Sequence, residues 1–317
     1  MHVRVDRRAG REAGHPALLL HPLLGRVGET PLVELVRIPG GASRRVFAKL
    51  EGANPGGSVK DRAARAIVAE AIRQDLLPAR RLLDATSGNT GIAYAMLGAA
   101  LGFGVTLCVP GSASLERRRI LRAYGAEVVE TDSLEGSDGA IRRARELFAE
   151  RPDLYHYADQ YSNPANPAAH ERTTGPEILR QMEGRALDLF VAGLGTSGTF
   201  VGVSRFLRRA SPATRLVSVE PDGPFHGLEG LKHMASALVP PIYDPTLADA
   251  RVGVRTEEAH QMTRRLAREE GLFVGPSSGA AVVAALRAGE ETGARSVAVV
   301  LPDGGDRYLS DRLWEAV

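Results

Sequence analysis

From Arg45 onward the chain alternates between two hydrophobic periods. Short unbroken apolar runs, bounded by Gly, Pro or charged residues, predict buried strands at 46–50, 81–85, 105–109 and 126–131. The stretches between them carry apolar residues at i, i+3 and i+4 and predict helices at 60–75, 89–101, 114–124 and 138–150. A second series follows: strand 187–192, helix 199–210, strand 215–220, an irregular Pro- and His-bearing stretch 222–250, helices 257–270 and 278–288, and strand 296–301. Strand, helix, strand in strict succession predicts an α/β fold of parallel sheets flanked by helices. The length of 317 residues suits two such units, divided near 155–160, with no flexible linker and a cleft between them. Residues 1–26 have weak periodicity and read as an arm without chemistry.

Charge and composition narrow the function classes. A net charge of +2 over 40 basic and 38 acidic residues, without a basic stripe, argues against nucleic acid as a partner. The apolar stretch 16–24 is short and broken by His21 and Pro22, so no membrane span or signal peptide is expected and the compartment is cytoplasmic by default. The single cysteine, Cys108, lies inside an apolar run and reads as structural. Eight histidines without ligand spacing give no metal site.

One count does point to chemistry. Of the 40 basic residues only Lys49, Lys60 and Lys232 are lysines. Arginine cannot replace lysine where a primary amine must deprotonate and condense with a carbonyl. Lys60 follows the turn-rich Asn54-Pro-Gly-Gly-Ser and opens an apolar helical pattern, which places an amine at a loop-to-helix junction.

Three further turns lead into helices. Thr86-Ser-Gly-Asn-Thr-Gly91 offers hydroxyls and free backbone N–H groups at a helix start, a cradle for a carboxylate, with Asn89 left for a second partner. Gly193-Leu-Gly195-Thr-Ser-Gly198-Thr199 is a Gly-rich strand-to-helix turn suited to a phosphate. It also spells Gly-x-Gly-x-x-Gly, and Glu220 ends the next strand, so a dinucleotide-binding oxidoreductase is the rival from another class. Gly275-Pro-Ser-Ser-Gly-Ala280 brings a serine hydroxyl to a third helix start.

An amine, a carboxylate loop, a phosphate loop and a hydroxyl are together the needs of pyridoxal 5'-phosphate. The segments Asn54–Arg62, Thr86–Gly91, Asp159–Asn166, Gly195–Thr199, Gly275–Ala280 and Leu301–Gly305, in that order, resemble the motif set of the cysteine synthase and cystathionine β-synthase family. The resemblance implies the two-domain tryptophan synthase β-like fold, with a smaller domain over 50–157 and a larger one from 1–49 plus 158–317. It implies that Lys60 forms the Schiff base with the cofactor and that Asn89 meets the ring oxygen. Gly195, Thr196, Ser197, Gly198 and Thr199 would bind the phosphate, and Ser277, rather than Ser278, would meet the pyridine nitrogen. Thr86, Ser87, Gly88, Thr90 and Gln160 would hold the substrate carboxylate.

The implied activity is β-replacement on an activated L-serine with a sulfur nucleophile by a homodimer, giving L-cysteine. O-Acetylserine is favoured, because Asp222 occupies the position where phosphoserine-using relatives carry an arginine, although Lys232 could compensate. O-Phosphoserine is the alternative. Cystathionine β-synthase activity comes third, since no haem-binding arm or regulatory extension is read in the chain.

Overall fold

A computed structural model describes residues 15–39, 44–86 and 88–315. Residues 1–14 of the expected arm, and Ser87, lie outside the described residues. The first strand, β1 (Leu32–Leu35), runs antiparallel to β2 (Arg45–Leu50). Next comes α1 (Lys60–Arg73), followed by β3 (Arg81–Ala85), α2 (Asn89–Leu101), β4 (Val105–Pro110), α3 (Leu115–Ala123), β5 (Glu127–Thr131), α4 (Gly136–Glu150) and β6 (Tyr155–Tyr157). The strands β3 to β6 form a parallel sheet in the order β5-β4-β3-β6. Then follow α5 (Ala165–Arg172), α6 (Thr174–Gln181), β7 (Leu189–Gly193), α7 (Gly198–Ala210), β8 (Arg215–Pro221), β9 (Ala250–Val254), α8 (Thr256–Glu270), α9 (Pro276–Thr292) and β10 (Ser296–Leu301). These complete a six-stranded sheet, β1-β2-β10-β7-β8-β9, parallel except at β1.

Both sheets bury apolar faces on two sides, which is why their central strands read as continuous apolar runs. All six residues of β4 are buried, Cys108 among them, and burial pushes that thiol up to about 12. One face of the large sheet packs on α8 and α9 through residues such as Val297, Val299, Ala281 and Leu266, and the other on α6 and α7 through Phe190, Phe200 and Ile178. The small sheet packs on α1 and α2 through Leu82, Ile67 and Tyr94, and on α4 through Leu83 and Ile141.

The predicted strands and helices are present with shifts of a few residues at their ends. The structure adds β1, β6, α5, α6 and β9. Of these, β6 spans three residues and α5 and α6 eight each, too short for a periodic signal to emerge.

The start of α1 is anchored to the large sheet by a buried charge network. Arg62 Nε and Nη2 donate to Glu51 at 2.7 and 2.8 Å, and Nη1 and Nη2 donate to Glu177 on α6 at 2.6 and 2.7 Å. Lys49 on β2 reaches the same Glu177 at 2.8 Å and donates to the Thr30 carbonyl at 2.6 Å. Asn54 donates to Glu51 and accepts from the Gly28 N–H at 2.8 Å, so the loop before Lys60 belongs to the same network. Burial pushes the Glu177 carboxyl up, but the Arg62 hydrogen bonds and charge outweigh it and hold the group down at about 2.

Removing the guanidinium with Arg62→Met leaves two carboxylates buried around Lys49 alone. It should cost about 3–5 kcal/mol, read from urea unfolding. The unmodified protein should show the linked pH effect. A carboxyl that titrates near 2 when folded and at about 4.3 when unfolded stabilises fully above the higher value. That contribution should be lost as pH falls from there towards the lower value, seen as a falling unfolding midpoint.

Candidate active site

The site forms where the carboxyl ends of strands from both sheets face each other. Lys60 is the first residue of α1, and its loop is fixed from three sides. Ser58 forms an antiparallel bridge with Asp303, the Val59 N–H donates to the Pro302 carbonyl at 2.8 Å, and Asp61 accepts from the Gly56 N–H. Gly57 has φ +78°, a backbone region that suits glycine.

The Lys60 amine enters a cleft of about 460 Å³ lined also by Thr86, Asn89, Thr90, Gln160, Gly195 and Thr196. A narrower cavity adjoins it, lined by Lys60, Asn89, Gly195, Thr196, Ser197, Gly198, Thr199 and Ser277. Burial lowers the Lys60 pKa, Asp303 opposes the shift, and Arg117 adds to it.

Of the expected site residues, Thr86, Asn89, Thr90, Gln160, Gly195 to Thr199 and Ser277 gather with Lys60 around these two spaces. The Thr86 hydroxyl oxygen accepts from the N–H groups of Gly88 and Gly91 at 3.0 and 3.2 Å, which leaves its proton to donate. Gly88 has φ +150°, and a Cβ there would run into the Arg117 side chain. Thr90 donates to Gln160 Oε1 at 2.6 Å, and Gln160 Nε2 donates to the Ala85 carbonyl at 2.6 Å, so Thr90 braces Gln160. Asn89 is less free than its sequence context implies. Its Nδ2 donates to Asp303 at 2.7 Å and its Oδ1 accepts from Arg307, leaving one N–H for another partner. Ser277 lines the narrow cavity, whereas Ser278 is fully buried away from it.

The Gly195–Thr199 turn has the properties of an anion cradle. Ser197 adopts φ +69° at the N-cap of α7, and its buried hydroxyl has no hydrogen-bond partner among the described residues. A Cβ on Gly195 would strike the Gly230 carbonyl oxygen, and one on Gly198 would strike Asn166. The backbone therefore packs too closely for any side chain at these two positions. A phosphate at the start of α7 would satisfy the Ser197 hydroxyl and the free N–H groups of the first turn. Glu220, which a dinucleotide reading needs for a ribose, instead accepts from the Met234 N–H at 2.9 Å.

The match to known proteins runs through most of the chain. Residues 23–303 fit the family described as "Pyridoxal-phosphate dependent enzyme". The chain belongs to that family. It is 45% identical over 302 residues to a cysteine synthase of Aquifex aeolicus, covering 92% of this chain and 91% of that one. Among solved structures, O-ureido-L-serine synthase superposes with a TM-score of 0.87 at 40% identity, covering 93% of this chain and 95% of the other. A cysteine synthase from Entamoeba histolytica gives 0.86 at 33% identity, covering 100% and 94%. The fold is accordingly that of the tryptophan synthase β-like pyridoxal-phosphate enzymes, and the buried, unpartnered Ser197 hydroxyl fits a phosphorylated cofactor.

Arg117, Asp138 and Glu229 in this enzyme's cleft carry no mark in the sequence. Arg117 on α3 is buried, forms an ion pair with Glu229, donates to the Tyr308 hydroxyl at 2.5 Å and lies over that ring at 4.7 Å. Lys232 pairs with Asp138 on α4 at 2.7 Å, and Asp138 also accepts from the Leu238 N–H at 3.0 Å. Two bridges of opposite sense, Arg117 to Glu229 and Asp138 to Lys232, thus tie the irregular segment to helices of the small sheet. Arg117 lies in a run of three arginines that resembles a solvated helix face, so its local pattern gives no hint of burial. Asp303 lies inside the Leu301–Gly305 motif, yet its bond to Asn89 is visible only in the folded chain.

Asp138→Asn removes the charge facing Lys232 and weakens the acceptor for Leu238. Amide hydrogen exchange over 229–238 should accelerate by about tenfold, as expected for one charge-assisted bond, while exchange in β7 and β10 stays unchanged.

Proposed function

We propose that this pyridoxal-phosphate enzyme performs β-replacement on O-acetyl-L-serine with sulfide, releasing acetate and L-cysteine. The observation that carries the reading is the position of Lys60, which with Asn89 lines both the wide cleft and the narrow cavity. The cysteine synthase relatives support it.

In this reading Lys60 carries the cofactor, Gly195 to Thr199 take its phosphate, Asn89 meets the ring oxygen and Ser277 the pyridine nitrogen. Thr86, Gly88 and Gln160 hold the substrate carboxylate, with Thr90 acting through Gln160; Ser87 is assigned to the same group. When bound, the cofactor supplies an electron sink for charge developing at the substrate Cα.

The chain's own groups then have defined tasks. Lys60 Nζ takes the Cα proton, and its lowered pKa keeps a neutral amine accessible. A serine at the pyridine nitrogen, unlike a carboxylate, does not hold positive charge there, which favours departure of the β-substituent over other fates of that charge. The acetyl group is preferred because the two cations that line the cleft beside Lys60 already have carboxylate partners, Arg117 with Glu229 and Lys232 with Asp138. A phosphate dianion would have to displace one of these partners.

We assign the two sheets to two domains, 50–157 and 1–49 with 158–317, and read the enzyme as a cytoplasmic homodimer, which sedimentation of the holoenzyme would test. Among the described residues no helix is long and apolar enough to cross a membrane, and no His, Cys, Asp or Glu cluster could hold a metal ion.

Two measurements test the function. Borohydride reduction should fix the cofactor mass on the peptide containing Lys60. Lys60→Arg should lower turnover at least about 10³-fold with the fold intact by circular dichroism, because a guanidinium keeps the charge but cannot give up its proton; appreciable activity would refute the role. With sulfide present, O-acetylserine should exceed O-phosphoserine by about tenfold or more in kcat/KM, the loss expected for one displaced ion pair, and should also exceed serine, whose hydroxide leaves poorly. The reverse order would make this an O-phosphoserine enzyme, and cystathionine formation from serine and homocysteine would favour the third activity.

A further inference from the structure

His170, on α5 behind the phosphate turn, takes no part in the chemistry above. It is buried, with Nδ1 at 2.9 Å from the Thr174 hydroxyl and Nε2 at 3.3 Å from the Thr199 hydroxyl. The imidazole therefore links a threonine at the start of α6 to one in the first turn of α7.

The polarity of this chain follows from hydrogen-bond accounting. A neutral imidazole has one donor and one acceptor nitrogen. Thr174 is fully buried, and among the described residues its hydroxyl has no side-chain or backbone hydrogen-bond partner other than His170 Nδ1. A buried hydroxyl proton without an acceptor is costly, so Thr174 donates and Nδ1 accepts. Nε2 then carries the ring proton and donates to the Thr199 oxygen. With that lone pair engaged, the Thr199 proton is directed away from His170 towards the narrow cavity, which Thr199 lines. Burial, reinforced by the charge of Arg62, pushes the imidazole down to about 3, so it remains neutral across the working range. The neighbouring Asn166 acts in parallel, donating to the Thr196 hydroxyl at 3.0 Å.

We infer that His170 is a positioning residue for the cofactor phosphate: as the Nε2-protonated tautomer it fixes Thr199 as a hydrogen-bond donor to that anion. The inference rests on the reading that residues 195–199 take the phosphate. An imidazolium in the same place would force Thr174 to accept and leave its proton unsatisfied, so neutrality is part of the arrangement.

The test begins with the holoenzyme labelled with ¹⁵N-histidine, the His170 signals being assigned by their loss in His170→Gln. A protonated Nε2 and a bare Nδ1, unchanged from about pH 5 to pH 9, are expected. An Nδ1-protonated ring or an imidazolium overturns the inference. Affinity for pyridoxal phosphate, compared with pyridoxal lacking the phosphate, gives the second readout. His170→Leu should weaken binding of the phosphorylated form about tenfold and leave the other unchanged, while His170→Gln, whose amide can still donate to Thr199, should recover most of the loss. Equal weakening of both forms, or no recovery with Gln, counts against the inference. Thr199→Val separates the two readings. If it leaves pyridoxal phosphate affinity unchanged, the phosphate assignment of Thr199 fails. If it weakens binding while His170 shows the wrong tautomer, only the inference fails.

Discussion

The arrangement of this enzyme depends on one guanidinium held between two buried carboxylates. Arg62 uses both edges of its fork, one on Glu51 after β2 and one on Glu177 of α6. It lies two residues after Lys60, so the contacts that neutralise Arg62 also fix where the reactive amine begins its helix. A buried ion pair is weak evidence of net stability, because desolvation offsets most of the attraction. Its value here is specificity of position. The network has few alternative pairings that leave every charge satisfied, so the loop from Asn54 to Val59 has one way to sit against Pro302 and Asp303.

The same constraint explains the electrostatics of the cleft. Arg117 and Lys232 line it and Arg307 meets its Asn89, yet each is engaged: Arg117 with Glu229, Lys232 with Asp138, and Arg307 with the Asn89 side chain and the Gly56 carbonyl. Lys60, by contrast, forms no side-chain hydrogen bond among the described residues. Its burial favours the neutral form, and the surrounding charges cancel closely enough to leave that preference in place. An amine poised in this way is suited to moving a proton, whereas an amine salt-bridged like Lys49 is not.

The three retained lysines show how far sequence reasoning reaches. Composition marks all three as candidates, and each proves to have a specific setting. Lys49 is a structural member of the Arg62 network, Lys232 closes one of the bridges across the cleft, and Lys60 alone lies at the junction of the two cavities. Turn chemistry is enough to separate Lys60 from the other two, because Asn-Pro-Gly-Gly-Ser ahead of an apolar helix is a local signal that neither Lys49 nor Lys232 carries.

The sequence by itself determined most of the strands and helices, the parallel sheets and the loops that start α1, α2, α7 and α9. These are written in short-range periodicity and in Gly, Pro and hydroxyl residues at strand ends. Only the tertiary structure decided which charges pair. Arg62 with Glu177, Arg117 with Glu229 and Asp138 with Lys232 are each separated by more than ninety residues, and an arginine reads the same in a pattern of polar positions whether it faces water or a buried carboxylate. The roles of Arg117 and His170 depend on that long-range placement. A local pattern records that a residue is polar, and only the packed chain determines the partner to which its proton points.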